Sequence, residues 1–134
     1  MTKKEAEEKI KEMFKGIWSK EDLMDIALMI EPDKERSLDE IKHIASICTG
    51  ASVESFMKTS KEKESRNRDS VRARMLCYSY LRNYNYSLAY IGSLFSGRDH
   101  ATVLHGLKTL QRDLESKYKP TVEAFNRFNS IVNA

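Results

Sequence analysis

Apolar side chains recur along this chain at three- and four-residue steps, and runs that alternate apolar with polar positions, as half-buried strands do, are hard to find. The pattern predicts a succession of helices. Ala6, Ile10, Met13, Phe14, Ile17 and Trp18 predict the first, over Lys3 to Lys15, with Gly16 ending or kinking it. Leu23, Ile26, Ala27 and Ile30 predict a second, from Lys20 to Ile30. The polar run Glu31 to Arg36 closes that helix, and Pro32, which disfavours helical backbone in the residue before it, marks a boundary or a hinge. Ser37 followed by Glu40 has the spacing of a capping box, and Leu38, Ile41, Ile44, Ala45 and Cys48 trace one face toward Gly50, so a third helix is expected over 38–48. Ser52 is placed to cap a short helix through Met57, and the polar stretch Lys58 to Asp69, with five basic residues, reads as a solvated loop. The stripe of Val71, Met75, Leu76, Tyr80 and Tyr84 predicts a helix from Asp69 to Tyr84, flanked by Arg72, Arg74 and Arg82. Near the C-terminus, Pro120 at a first helical position, with Val122, Phe125, Phe128 and Val132, predicts a short packing helix.

Between these last two elements lies the most informative segment. Ser87 is placed to cap a helix carrying Leu88, Ile91, Leu94 and Phe95, and Ser96-Gly97-Arg98-Asp99 has the composition of a tight turn in which Gly97 takes positive φ. Asp99, three residues before Thr102, is an N-cap for a helix whose Val103, Leu107, Leu110 and Leu114 share one face. Two amphipathic helices joined by a short glycine-containing turn make a helix-turn-helix, here from about Ser87 to Leu114. At about 100° per residue, the face opposite Val103 gathers Ala101, His105, Lys108 and Arg112. Small or polar side chains in the first turn suit base edges, and cations further along suit phosphates. Periodicity alone leaves the alternative of an ordinary solvated surface helix open.

Charge sharpens this picture. Residues 1–36 carry 8 basic and 10 acidic side chains, whereas residues 58–112 carry 11 Lys or Arg against Glu62, Glu64, Asp69 and Asp99, so a polyanion is expected to partner the latter segment alone. With 134 residues, 40% of them hydrophobic, five glycines and two prolines, the chain is expected to be all-α, one domain with an N-terminal arm. Cys48 and Cys77 lie in apolar helical runs without C-x-x-C spacing and read as reduced core residues. No signal-peptide core or membrane-length apolar stretch is seen, so the protein is expected to be cytoplasmic, without a membrane partner.

The string from Tyr86 to His105, with its core Gly97-Arg-Asp-His-Ala-Thr-Val-Leu-His105, resembles the C-terminal DNA-binding domain of the bacterial replication initiator DnaA. The resemblance runs from about Ser37 to Leu114 and is gapped near Asn83 to Asn85. It implies a Trp-repressor-like helix-turn-helix bundle that reads a short, asymmetric, A·T-rich box in double-stranded DNA through the major groove, with a basic-loop arginine in the adjacent minor groove. Arg98, Asp99, His100 and Thr102 match the motif that contacts the box, Arg66 matches the minor-groove arginine by its distance from Arg74, and Arg74 matches a phosphate- or base-contacting arginine. Together with Arg68 in the loop and Ala101, His105 and Lys108 on the reading helix, these are the candidate DNA-binding residues. Ala101 stands where the family usually has Thr, Ser96 where it usually has Gly, and Met75 where a polar residue is usual, so the target is expected to differ from the family's box. The nucleotide-hydrolysing domain that precedes this module in the family has no counterpart in these residues.

Other chemistry is declined. Gly92 and Gly97 are spaced as in a P-loop, but Arg98 and Asp99 follow where Lys and Ser or Thr are needed, and no strand precedes them, so no nucleotide is expected. His100 and His105 splay around a helix without a partner at zinc-ligand spacing, and His43 reads as a boundary residue. The pairs Glu7-Glu8 and Asp39-Glu40 sit in helix starts or charge-mixed runs, and nothing resembles a catalytic triad, so neither an enzyme nor a cofactor is expected. The expected organisation is an arm over 1–36, taking a protein partner or self-associating through residues 1–30, and a DNA-binding domain over 37–134. The expected function is sequence-specific binding at DnaA-box-like sites in replication initiation or its regulation. The alternatives are an interaction or transcription-regulatory module with altered or nonspecific DNA binding, and a degenerate initiator fragment that keeps the fold alone.

Overall fold

Side-chain caps set the helix starts along the body of this chain. The computed structural model describes Lys4 and residues 35–134; the helices expected over 3–15 and 20–30 lie outside the described residues. Ser37 Oγ accepts from the Glu40 amide at 3.2 Å and opens α1, Leu38–Thr49, which Gly50 ends in left-handed backbone at φ 84°. Ser52 opens α2, Val53–Met57. The stretch expected as a solvated loop is instead bonded to itself. Lys63–Arg66 form a 3-10 turn, Ser65 Oγ donates to the carbonyls of Thr59 and Glu62, and Ser70 Oγ donates to that of Glu64. Both serines are fully buried, so the loop presents its lysines and arginines outward on a fixed frame.

Asn67 caps the long helix α3, Arg68–Asn83, through the Ser70 amide at 2.7 Å. The helix-turn-helix comprises α4, Leu88–Ser93, and α5, His100–Glu115. The last helix, α6, spans Lys119–Val132 with Pro120 in its first turn, and at 14 residues it is longer than the short element expected. Among the described residues the structure is all-helical, six α-helices with one 3-10 turn and no strand.

α3 runs through the middle. Its Ala73, Leu76, Cys77, Tyr80 and Leu81 pack with Ile41, Ile44, Ala45 and Cys48 of α1, with Ala124 and Phe128 of α6, and with Ile91, Phe95 and Val103 of the helix-turn-helix. Cys48 and Cys77 are free and buried, and burial pushes the Cys77 thiol up to about 12, consistent with packing rather than reactivity. Arg36, assigned to the arm on sequence, is bonded into the body. Its amide donates to the Tyr80 hydroxyl at 2.7 Å, and its guanidinium donates to the carbonyls of Ile131 and Val132 at the end of α6. The residues from Arg36 to Ala134 form one compact unit.

Candidate nucleic-acid interface

α5 is seated by its buried face. Val103 and Leu110 are buried, and Gly106 lies so close to α3 that a Cβ there would stand 3.1 Å from the Tyr78 ring. That anchoring leaves His100, Ala101, Thr102, His105, Lys108 and Arg112 exposed. At the head of the helix, Asp99 Oδ1 accepts both the Thr102 amide and the Thr102 hydroxyl, each at 2.8 Å. The Thr102 amide first, then its hydroxyl, holds the Asp99 carboxyl below the ordinary carboxylate range, with the charge of His100 adding to the shift. The Thr102 hydroxyl proton is thereby committed within the turn, so its free capacity outward is as an acceptor.

A pH prediction follows from the Asp99 cap. A carboxyl depressed in the folded state stabilises fully above its unfolded pKa and loses that contribution as pH falls through the folded value. The difference in melting temperature between wild type and Asp99→Ala is therefore expected to be constant near neutrality and to shrink below the ordinary carboxylate range. A difference that stays constant into strong acid refutes the cap.

The turn before α5 depends on close backbone approach. The Arg98 amide donates to the Gly92 carbonyl at 3.0 Å, and Ser96 and Gly97 both adopt left-handed backbone, at φ 58° and 70°. A Cβ on Gly92 would stand 2.0 Å from the Arg98 carbonyl oxygen. Ser96 Oγ donates to the Met57 carbonyl.

The structure divides the arginines expected at the interface. Arg66 and Arg68 are exposed, Arg66 in the 3-10 turn and Arg68 at the head of α3. Arg98, expected in an exposed turn, is 9% exposed and points inward, donating to the Phe95 carbonyl at 2.8 Å and the Lys58 carbonyl at 3.0 Å. Arg74 is likewise buried and donates to the Phe56 carbonyl at 3.1 Å; burial first, and then the neighbouring Arg98 charge, lowers its pKa. Arg72, expected beside the apolar stripe, is buried too, against Thr121 and Asp69. A guanidinium has five donors in a fixed fork; for Arg74 and Arg98 main-chain carbonyls near helix ends supply the acceptors, and for Arg72 the Thr121 hydroxyl and the Asp69 carboxylate do.

Sequence reasoning passed over Gly92, except as a P-loop candidate, and the bond from Ser96. The signal available for Gly92 was its place beside Ile91 on the helix face that meets α5. Among the described residues no cluster of His, Cys, Asp or Glu is placed to hold a metal ion, and no helix is long and apolar enough to cross a membrane.

The bacterial dnaA protein helix-turn-helix family matches residues 38–110, from the first residue of α1 into the second half of α5. The chain is similar to the chromosomal replication initiator protein DnaA of Flavobacterium psychrophilum, 33% identical over 101 residues that cover 73% of this chain and 20% of that protein. It is also similar to the protein of the same name from Bacteroides thetaiotaomicron, 42% identical over 53 residues, 39% of this chain and 11% of that one. The chain thus spans a fifth or less of the length of these relatives. No solved structure matches it. With more than half of its 134 residues matched, and with the two helices and turn of the motif in place, the chain belongs to the bacterial dnaA protein helix-turn-helix family.

Proposed function

We propose that this chain binds double-stranded DNA at a specific sequence, at DnaA-box-like sites, and serves replication initiation or its regulation. The observation that carries the reading is the exposed row on α5. Ala101, His105, Lys108 and Arg112 line the side of the helix opposite the buried Val103, with exposed His100 and Thr102 at its head and cations further on. In this arrangement the first turn of α5 reads bases in the major groove, Lys108 and Arg112 meet phosphates, and Arg66 on the loop reaches the adjacent minor groove, with Arg68 beside it at the head of α3. Ala101 offers a methyl, suited to a thymine methyl, where a hydroxyl would select otherwise. Ahead of Arg36 the chain serves as an arm that takes a protein partner or self-associates through residues 1–30, and the domain that follows acts without nucleotide.

Selection of bound sequences from random duplex DNA tests this, with enrichment of one asymmetric motif as the expected result. Salt-sensitive binding without enrichment would instead favour a nonspecific role. On the enriched site, His100→Ala is expected to lose about 1–3 kcal/mol and little on scrambled duplex, because a base contact is lost on one sequence only. Lys108→Ala is expected to weaken all sequences alike and to flatten the slope of log affinity against log salt by about 0.9. Equal loss from His100→Ala on both duplexes would make His100 a backbone contact and remove it from the reading turn.

A further inference from the structure

Three successive carbonyls at the end of α2 are each held by a side chain from another element. Phe56 accepts from Arg74 of α3, Met57 from Ser96 of the helix-turn-helix turn, and Lys58 from Arg98 of the same turn. A helix of five residues leaves most of its carbonyls without an internal partner, so side chains that reach its C-terminal end decide where that end stands. Two of these groups are cations at a helix C-terminus, where the backbone dipoles favour positive charge.

From the clamped end the chain runs directly into the basic loop, which is itself cross-tied. Lys58 Nζ lies 4.0 Å from a Glu62 carboxylate oxygen and 3.8 Å from one of Glu64, and Ser65 and Ser70 close the 3-10 turn that carries Arg66. A shift at Met57 is therefore passed along a stiff segment to Arg66. Ser96 is the telling member of the set. Its backbone is left-handed, which is uphill for any residue with a Cβ and easy for glycine, so serine here gains only through what its hydroxyl holds.

We infer that Ser96 is a positioning residue for two-groove binding: with Arg74 and Arg98 it ties the end of α2 to the turn before α5 and so fixes the loop arginine Arg66 relative to the reading helix. The inference rests on the proposed reading of Arg66 as a minor-groove contact. Arg74 and Arg98 act here through main-chain carbonyls, without needing to touch the nucleic acid.

The test uses the full chain carrying Ser96→Gly, Ser96→Asn, Arg66→Ala or Ser96→Gly with Arg66→Ala, and the duplex enriched by selection. Ser96→Gly removes the donor and relieves the backbone, so its melting temperature is expected to hold or rise. Amide hydrogen exchange across 58–67 is expected to quicken, and affinity to fall roughly three- to tenfold, about the worth of one hydrogen bond. Ser96→Asn, which tolerates left-handed backbone and keeps a donor, is expected to recover most of the loss. In the Arg66→Ala background Ser96→Gly is expected to cause no further loss. If it costs the same factor there, or if exchange across 58–67 is unchanged, the positioning role is overturned while the DNA-binding reading stands. If Arg66→Ala alone binds as wild type does, the minor-groove reading is overturned, and the inference with it.

Discussion

Gly92→Ala is expected to lower the melting temperature by more than about 10 °C. The added methyl carbon would lie 2.0 Å from the Arg98 carbonyl oxygen and 2.9 Å from its carbon, and both of those atoms are backbone. A flexible side chain could swing away, but here α4 and the turn must part. That movement breaks the 3.0 Å bond from the Arg98 amide to the Gly92 carbonyl and disturbs the packing of Ile91 and Phe95. Overpacking against backbone costs about 3 kcal/mol, and each kcal/mol moves the midpoint of a domain this size by about 4–8 °C. Two other glycines provide the contrast. Gly106→Ala meets only the edge of the Tyr78 ring, and the gain of about 1 kcal/mol in helix propensity offsets the tight contact. Gly97→Ala meets open space and is expected to lose only about 1–2 kcal/mol, through its φ of 70°. Thermal denaturation of the three variants checks the order, and a Gly92→Ala protein that melts with wild type would mean the turn is looser than described.

Arg98→Ala is expected to destabilise the fold in the absence of any DNA, by about 2 kcal/mol. The family motif implies a contact to the box for this residue, yet its guanidinium is spent on the carbonyls of Phe95 and Lys58. Truncation leaves two acceptors unpaired in a poorly solvated place, each costing about 1–3 kcal/mol. Part of that is recovered, because Arg74 loses a neighbouring positive charge that disfavours its own. Arg66→Ala provides the control: it is exposed, so its melting temperature is expected to match wild type while DNA affinity falls. An Arg98→Ala protein that melts normally but binds poorly would restore Arg98 to the interface.

The two arginines show where the sequence is legible and where it is not. Helix starts were readable, because a cap is a local device: Ser37, Ser52, Ser87 and Asp99 each bond an amide three residues on, and spacing alone reveals the pair. The helix-turn-helix and the outward row of α5 were readable for the same reason, since a period of 3.6 residues carries its own geometry. Asn67 rather than Asp69 opens α3, because Ser70 turns inward to the Glu64 carbonyl and draws the helix start with it. The inward turn of Arg72, Arg74 and Arg98 was not readable. A charged residue reads as solvated until its acceptors are known, and the Thr121 hydroxyl for Arg72, the Phe56 carbonyl for Arg74 and the Lys58 carbonyl for Arg98 are brought near only by the packing of distant segments. The buried face of α6 was hidden likewise, since Thr121 and Ala124 bury beside Phe128 without standing out as an apolar stripe.

The bonds from Arg36 to the carbonyls of Ile131 and Val132 have a topological consequence. The body starts and finishes at one spot on its surface, so it has the layout of a cassette that can be set into a loop of a longer polypeptide without stretching the host. The same layout suits circular permutation: joining Ala134 to Arg36 through a short linker and opening the chain within the exposed run 59–62 leaves every helix whole, and moves the free ends to the rim beside the basic loop.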